Sequence, residues 1–175
     1  MRAFFTTIVM LIMLASTAVA QFNFDPSRLV YSGTINFAIT NNFATATISP
    51  QVGYALNDIF TIGSGINYNY RRQMNANTSM HYLGLNAFGR ATPIRHVALQ
   101  VQPEGHYMWG RNIARTRFIP SVLVGAGIVI PSGIGTIHAM VFYDIVQYTR
   151  GGVNYSPYGN EVVYSITYVL NFATR

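Results

Sequence analysis

The sequence contains no cysteine and no lysine, and only 9% of its 175 residues are charged. Without cysteine there is no disulfide framework, no thiolate metal site and no cysteine nucleophile. Charge this sparse falls well below the roughly 25% of ordinary soluble domains, which argues against a conventional soluble enzyme. Acids are scarcest: Asp25, Asp58, Glu104, Asp144 and Glu161 stand against eleven basic residues, every one of them Arg. The formal charge of +6 therefore rests on groups suited to bidentate phosphate or carboxylate contacts, and an acidic partner surface is expected. Four scattered His leave little for a metal cage. Apolar and aromatic side chains, at 50% and 14%, are abundant. Disorder is thereby excluded, because it requires low hydrophobicity with high net charge.

Long apolar runs are also missing after the first twenty residues. Met1 and Arg2 form a positive start, Ala3 to Ala15 an uncharged and mostly apolar stretch, and Ser16 to Ala20 a small-residue end with Ala18-x-Ala20. This pattern is that of a secretory signal peptide, with cleavage expected after Ala20. The alternative, a signal anchor, meets an apolar stretch below the roughly 20 residues a spanning helix needs. The expected organisation is a signal peptide over residues 1–20 and one barrel domain over residues 21–175, with the cell envelope as its home. The longest later uncharged stretch, Phe118 to Gly135, holds Pro120, Pro131 and several Gly, which break helices and mark strands and turns.

The apolar residues of the mature chain follow a period of two, the mark of strands with one apolar face. Leu29, Tyr31, Gly33, Ile35, Phe37 and Ile39 alternate with Ser32, Thr34, Asn36 and Ala38. Ala46, Ile48, Val52, Tyr54 and Leu56 alternate with Thr45, Thr47, Ser49 and Gln51, and Asn57-Asp58 makes a turn. Phe60 to Tyr70 repeats the pattern, with Asn67 and Asn69 on the polar face. After an expected polar loop from Arg71 to Ser79, weaker alternation runs from His81 to Gly89, and Ala91-Thr92-Pro93 turns the chain. Further alternating segments run from His96 to Tyr107, Arg117 to Ile130, Gly135 to Tyr148 and Val162 to Phe172. The connections after the third, fifth and seventh segments are long and polar, whereas those after the second, fourth and sixth are short.

Eight alternating segments with this asymmetry predict an all-β, eight-stranded antiparallel up-and-down transmembrane β-barrel. The structural rival is a water-soluble barrel of the lipocalin type, which turns its polar face outward. Against it, the small-polar face lacks the Lys and Glu of a solvated surface, and the apolar face carries Tyr near the segment ends. The signal peptide, the eight segments and the final Tyr164-x-Ile166-x-Tyr168-x-Leu170-x-Phe172 together resemble the small bacterial outer-membrane barrels of the OmpA/OmpX-like class. Ile48-Ser49-Pro50-Gln51-Val52-Gly53-Tyr54 followed by Ile62-Gly63-Ser64-Gly65-Ile66-Asn67-Tyr68 is similar to the strand-turn-strand phrasing of that class. The likeness covers Leu29 to Phe172 and implies a Gram-negative outer-membrane location. It specifies architecture and leaves activity open. Members commonly end on an aromatic residue, whereas Ala173-Thr174-Arg175 follow Phe172 here.

The inward face is expected to carry a polar network of Glu104, His106, Arg117 and Asp144, with His138 on the same face as Asp144. Glu104 and His106, two apart on a strand, point the same way, and Glu104 is expected to bond Arg117 with His106 as a secondary partner. The alternative use of these groups is acid-base chemistry, as in lipid-modifying barrel enzymes. No Ser-His signature accompanies them, and His138 and Asp144, six apart on a strand, lie about 20 Å from each other. No catalytic residue, metal site or cofactor is therefore assigned. Arg71, Arg72, Arg111, Arg115 and Arg150, expected on long loops, are suited to lipopolysaccharide phosphates. Tyr155-Ser156-Pro157-Tyr158 is the place for a carbohydrate-stacking surface, the alternative to an aromatic girdle.

Three functions remain in view. The first is a non-enzymatic structural or interaction module of the envelope, with outer-membrane lipid and lipopolysaccharide, or a larger outer-membrane protein complex, as partners. The second is an outer-leaflet lipid-modifying enzyme. The third is a small pore, disfavoured because eight strands enclose an interior that side chains fill. Nucleic acid is excluded as a partner by compartment and by the dispersal of the Arg residues.

Overall fold

Strands with one apolar face leave their backbone donors and acceptors to be satisfied by neighbours, and here the neighbours form a closed circle. The computed structural model describes residues 24–39, 43–74, 78–110, 117–150 and 153–171. The expected signal peptide, Phe172, Arg111 and Arg115 lie outside the described residues. Eight strands build the barrel: β1 (Leu29–Ile39), β2 (Phe43–Ala55), β3 (Phe60–Gln73), β4 (Thr78–Ile94), β5 (Val97–Gly110), β6 (Arg117–Ser132), β7 (Gly135–Asp144) and β10 (Val162–Asn171). Two short strands, β8 (Thr149–Arg150) and β9 (Val153–Asn154), pair within the last loop. Each barrel strand is antiparallel to its sequence neighbour, and β1 closes the circle on β10 from Val30↔Asn171 to Phe37↔Tyr164. Closure removes the edges of the barrel sheet, so its described strands present no unpaired edge row.

The start of β1, the end of β10 and the turns after β2, β4 and β6 share one end, called here the turn end. The connections after β1, β3, β5 and β7 share the other, the loop end. At the turn end the Asn57 side chain accepts from the Ile59 and Phe60 amides at 2.9 and 2.7 Å, which closes the β2–β3 turn as expected from Asn57-Asp58. Gly133 takes a φ of +56° in the β6–β7 turn, a conformation that a side chain would strain.

The faces fall as the alternation predicts. Ile35, Ile48, Ile66, Leu85, Leu99, Ile128, Val141 and Ile166 point outward and are exposed, whereas Thr34, Ser49, Asn67, Asn86, Gln102, Ser121 and Thr167 point inward and are buried. Several boundaries differ from expectation. β3 continues to Gln73, so Arg71 and Arg72 stand on a strand, paired with Met80 and Ser79, and not on a loop. β4 runs through Pro93 to Ile94 with a register shift between Ala91 and Ile94, and the turn falls at Arg95–His96. β5 reaches Gly110, β6 reaches Ser132, and β7 stops at Asp144 instead of Tyr148. In each extension the backbone pairing continues where apolar alternation has ended. As a result the connection after β3 is short, covering only 74–77.

Candidate functional site in the barrel lumen

The inward side of β5 carries a polar residue at every second position from Gln100 to His106, and because its neighbours alternate in phase these side chains meet across the lumen. Beginning near the turn end, Arg90 Nε donates to Gln100 Oε1 at 2.7 Å and Gln100 Nε2 donates to Gln102 Oε1 at 2.6 Å. Gln102 Nε2 in turn donates to Glu104 Oε1 at 2.7 Å. A branch joins from β2, where Gln51 Nε2 donates to Asn86 Oδ1 and Gln102 Oε1, and from β4, where Asn86 Nδ2 donates to Ser49 Oγ at 2.9 Å. Thr34 and Thr167 hydroxyls meet at 2.8 Å across the β1–β10 seam. A run of this kind is worth building inside a barrel because a buried polar group left unpaired costs a few kcal/mol.

The ladder ends on the buried carboxylate of Glu104. Its Oε2 accepts from His106 Nε2 at 2.9 Å and from the Tyr158 hydroxyl at 2.8 Å, while Oε1 is held by Gln102. Glu104 and His106 thus share a partner face as their spacing predicts. The expected bond to Arg117 meets a different register. Ser121 lies opposite Glu104, and Arg117 lies four residues away opposite Met108; the described part of Arg117 is its backbone. The described partners of Glu104 are the Gln102 amide, the His106 imidazole and the Tyr158 phenol.

Tyr158 reaches Glu104 because the last loop folds into the mouth. Ser156, Pro157, Tyr158 and Gly159 are buried, Tyr158 completely. Asp144 anchors this fold. Its carboxylate accepts from Ser156 Oγ at 2.6 Å, Ser121 Oγ at 3.1 Å, and the Val122 and Val146 amides, both at 3.1 Å. Thr45 Oγ1 donates to the Pro157 carbonyl at 3.0 Å. Arg71 Nη1 donates to the Ser156 carbonyl, and the Arg71 guanidinium lies 4.0 Å from the centroid of the Phe43 ring. Burial and the adjoining Glu104 carboxylate push the Tyr158 phenol well above its usual range, so it remains a donor. The expectation of a carbohydrate-stacking surface at Tyr155 to Tyr158 is therefore corrected: Ser156, Pro157 and Tyr158 face inward and form a plug. Arg71 is likewise committed to the plug and not free on a loop. Arg72 is exposed on β3, and only the backbone of Arg150 is described.

The lumen also holds two apolar clusters. Leu123, Val129, Met140, Phe142 and Val163 pack with Tyr158, and Tyr82, Met108 and Ile119 form a second cluster beneath Tyr155. Towards the turn end the lumen opens into a cavity of about 540 Å³ lined by Arg28, Asp58, Arg90, Arg95 and His138 among others. Arg90 lies one residue beyond the alternating segment His81 to Gly89, within the observed β4. Continuing the same alternation by one residue places Arg90 on the face of Asn86 and Phe88. His138 stands in this turn-end half, away from Asp144. Among the described residues no cluster of three potential ligands could hold a metal.

On the outer wall, His81 stacks on Trp109 with ring centroids 5.8 Å apart and meets the Tyr68 hydroxyl at 2.7 Å. Tyr70 lies on its other side, at 5.2 Å. This aromatic group stands on the loop-end half of β3, β4 and β5, where an interfacial girdle is expected.

No protein-family model and no curated protein sequence matches the chain. Among solved structures, the outer membrane protein Ail of Yersinia pestis, determined in a phospholipid bilayer nanodisc, is 12% identical. Its alignment covers 81% of this chain and 97% of that one with a TM-score of 0.52. A chain from the de novo design of transmembrane β-barrels is 14% identical, with 85% of this chain and 100% of that one covered and a TM-score of 0.45. The protein is an eight-stranded up-and-down barrel of the transmembrane type, similar in fold to the outer membrane protein Ail.

Proposed function

We propose that this chain is a non-enzymatic outer-membrane β-barrel, a structural or accessory module of the envelope whose external end is sealed by its own last loop. The observation that carries this reading is the pairing of an exposed apolar wall with a satisfied, plugged lumen. Ile35, Ile48, Leu85 and Ile166 are each more than half exposed; water would disfavour such a wall and acyl chains would favour it. Inside, both oxygens of Glu104 and both of Asp144 accept bonds that hold strands and loop together, which favours architecture over acid-base chemistry. On this reading the turn end is periplasmic and the loop end external, Arg72 and the aromatic group around His81 meet the outer leaflet, and lipid with lipopolysaccharide is the partner surface. The signal peptide, cleaved after Ala20, delivers the chain.

The experiment is expression in a Gram-negative host. The mature protein should fractionate with the outer membrane, migrate differently on gels before and after heating, leave the lipid A mass spectrum unchanged and give no single-channel current in planar bilayers. Recovery as a soluble periplasmic monomer overturns the location. A lipid A mass shift on overexpression establishes the enzyme instead, and discrete current steps establish the pore.

A further inference from the structure

We propose that the turn-end vestibule of the lumen binds a small oxyanion of the phosphate class, held between Arg90 on β4 and His138 on β7. Arg90 is 5% exposed, and its only described hydrogen bond, from Nε, goes to the neutral amide of Gln100. Its Cζ lies 5.2 Å from the Phe88 ring centroid, and Nη2 has no partner among the described residues. His138 is also 5% exposed. Its Nε2 meets the Thr136 hydroxyl at 3.0 Å, while Nδ1 has no partner among the described residues. With the Thr136 hydroxyl donating to Nε2, the ring proton sits on Nδ1 and makes it a second free donor. Both side chains line the same cavity of about 540 Å³.

The charges around that cavity are unbalanced. Arg28 and Arg95 line it together with Arg90, and Asp58 is the acid among its lining residues. Asp25 lies 3.8 Å from Arg28, outside the lining. A guanidinium removed from bulk water without a counter-charge is among the costliest arrangements in a protein. Water in the vestibule would satisfy Nη2 as a donor and leave the charge uncompensated. An oxyanion does both. Donors from two separate strands that line one cavity suit a tetrahedral group, whose oxygens point in divergent directions, and the planar fork of Arg matches phosphate geometry. The site lies inside the strand wall, so the occupant expected is a soluble anion and not a bilayer headgroup.

The test uses the mature protein refolded in a maltoside detergent free of phosphate. Inorganic phosphate is titrated against chloride at constant ionic strength while the Arg90 Nε–H and His138 ring resonances are followed. A saturable shift of both is expected, with affinity at least about tenfold weaker in Arg90→Gln and unchanged in Arg72→Gln at the opposite end. Arg90→Lys keeps the charge without the fork and should fall between. His138→Gln leaves every cation in place, so it remains readable if the Arg90 variants do not fold; it should bind severalfold more weakly. No saturable response, an equal response to chloride, or undiminished binding in Arg90→Gln or His138→Gln overturns the site. In bilayers containing phosphatidylglycerol but no inorganic phosphate the signals should not shift. A shift there matching that given by phosphate overturns the soluble anion in favour of a lipid headgroup.

Discussion

Glu104 is a carboxylate held by three donors, none of which carries a permanent charge. Gln102, His106 and Tyr158 converge on it at 2.7 to 2.9 Å, and bonds to an ionised acceptor contribute about 1.5–3 kcal/mol each, roughly twice those between neutral groups. Replacing Glu104 by Gln turns one acceptor oxygen into a donor that faces existing donors. Urea unfolding in detergent should therefore show a loss of about 3 kcal/mol, with lipid A unaltered in cells. Tyr158→Phe removes one of the three bonds and should cost about 1.5–3 kcal/mol. The two losses should not add, because the second substitution removes a bond that the first has already spoiled. Additive losses in the double variant would show that the Tyr158 hydroxyl is held by partners other than Glu104, such as Thr47 and Asn69. The sequence indicated the Glu104–His106 pairing, since two residues apart on a strand share a face. It could not indicate Tyr158, which arrives from a loop 54 positions away and obeys no strand period.

At the scale of the strands, the inward glycines make room for the large inward side chains. A Cβ on Gly125 would lie 2.4 Å from the Phe142 ring and 2.5 Å from the Val141 carbonyl oxygen, whereas one on Gly33 would meet nothing within 4 Å. Gly125→Ala should thus destabilise the barrel by about 1–3 kcal/mol through overpacking. Gly33→Ala, on the outer face, should be neutral or slightly stabilising because the unfolded chain loses freedom. Urea midpoints of the two variants check this, and equal effects would contradict the packing. Here lies the division between what the sequence discloses and what it conceals. The outward and inward sets were legible, because one face must be apolar and the period is two. The strand ends were not. Ala91-Thr92-Pro93 reads as a turn and ends the fourth segment at Gly89, yet Arg90 continues the inward row and Pro93 sits within the irregular stretch between Ala91 and Ile94. Arg71 was given to a loop for the same reason. In a barrel mouth an Arg can face inward and still find a carbonyl or a ring, so charge does not mark the end of a strand there.

For the whole molecule, the decisive quantity is the free energy of the outer wall in its surroundings. Ile166 lies mid-strand on β10, paired with Ile35 on one side and Ala139 on the other, and is 51% exposed. Ile134, in the β6–β7 turn, is still more exposed at 74%. If the wall faced water, Arg at either place would be nearly neutral, because surface substitutions rarely exceed about half a kcal/mol. If it faces acyl chains, the guanidinium at position 166 must either lose its hydration or thin the bilayer to keep it. Arg there should then cost about 2–4 kcal/mol, falling to about 0–1 kcal/mol at an interfacial turn. Inward Thr167 next to it supplies the control for chain direction: Thr167→Arg acts by crowding the Thr34–Thr167 contact, in water and lipid alike. Folding free energies of Ile166→Arg, Ile134→Arg and Thr167→Arg, measured by urea titration in lipid vesicles, should therefore separate the first from the second by at least about 2 kcal/mol. Repeating the comparison in bilayers of shorter acyl chains should shrink the Ile166→Arg penalty, because the same residue then lies nearer the headgroups, while Thr167→Arg should hold its value. Equal tolerance of Arg at Ile166 and Ile134 in vesicles would mean that the exposed apolar wall meets something other than lipid.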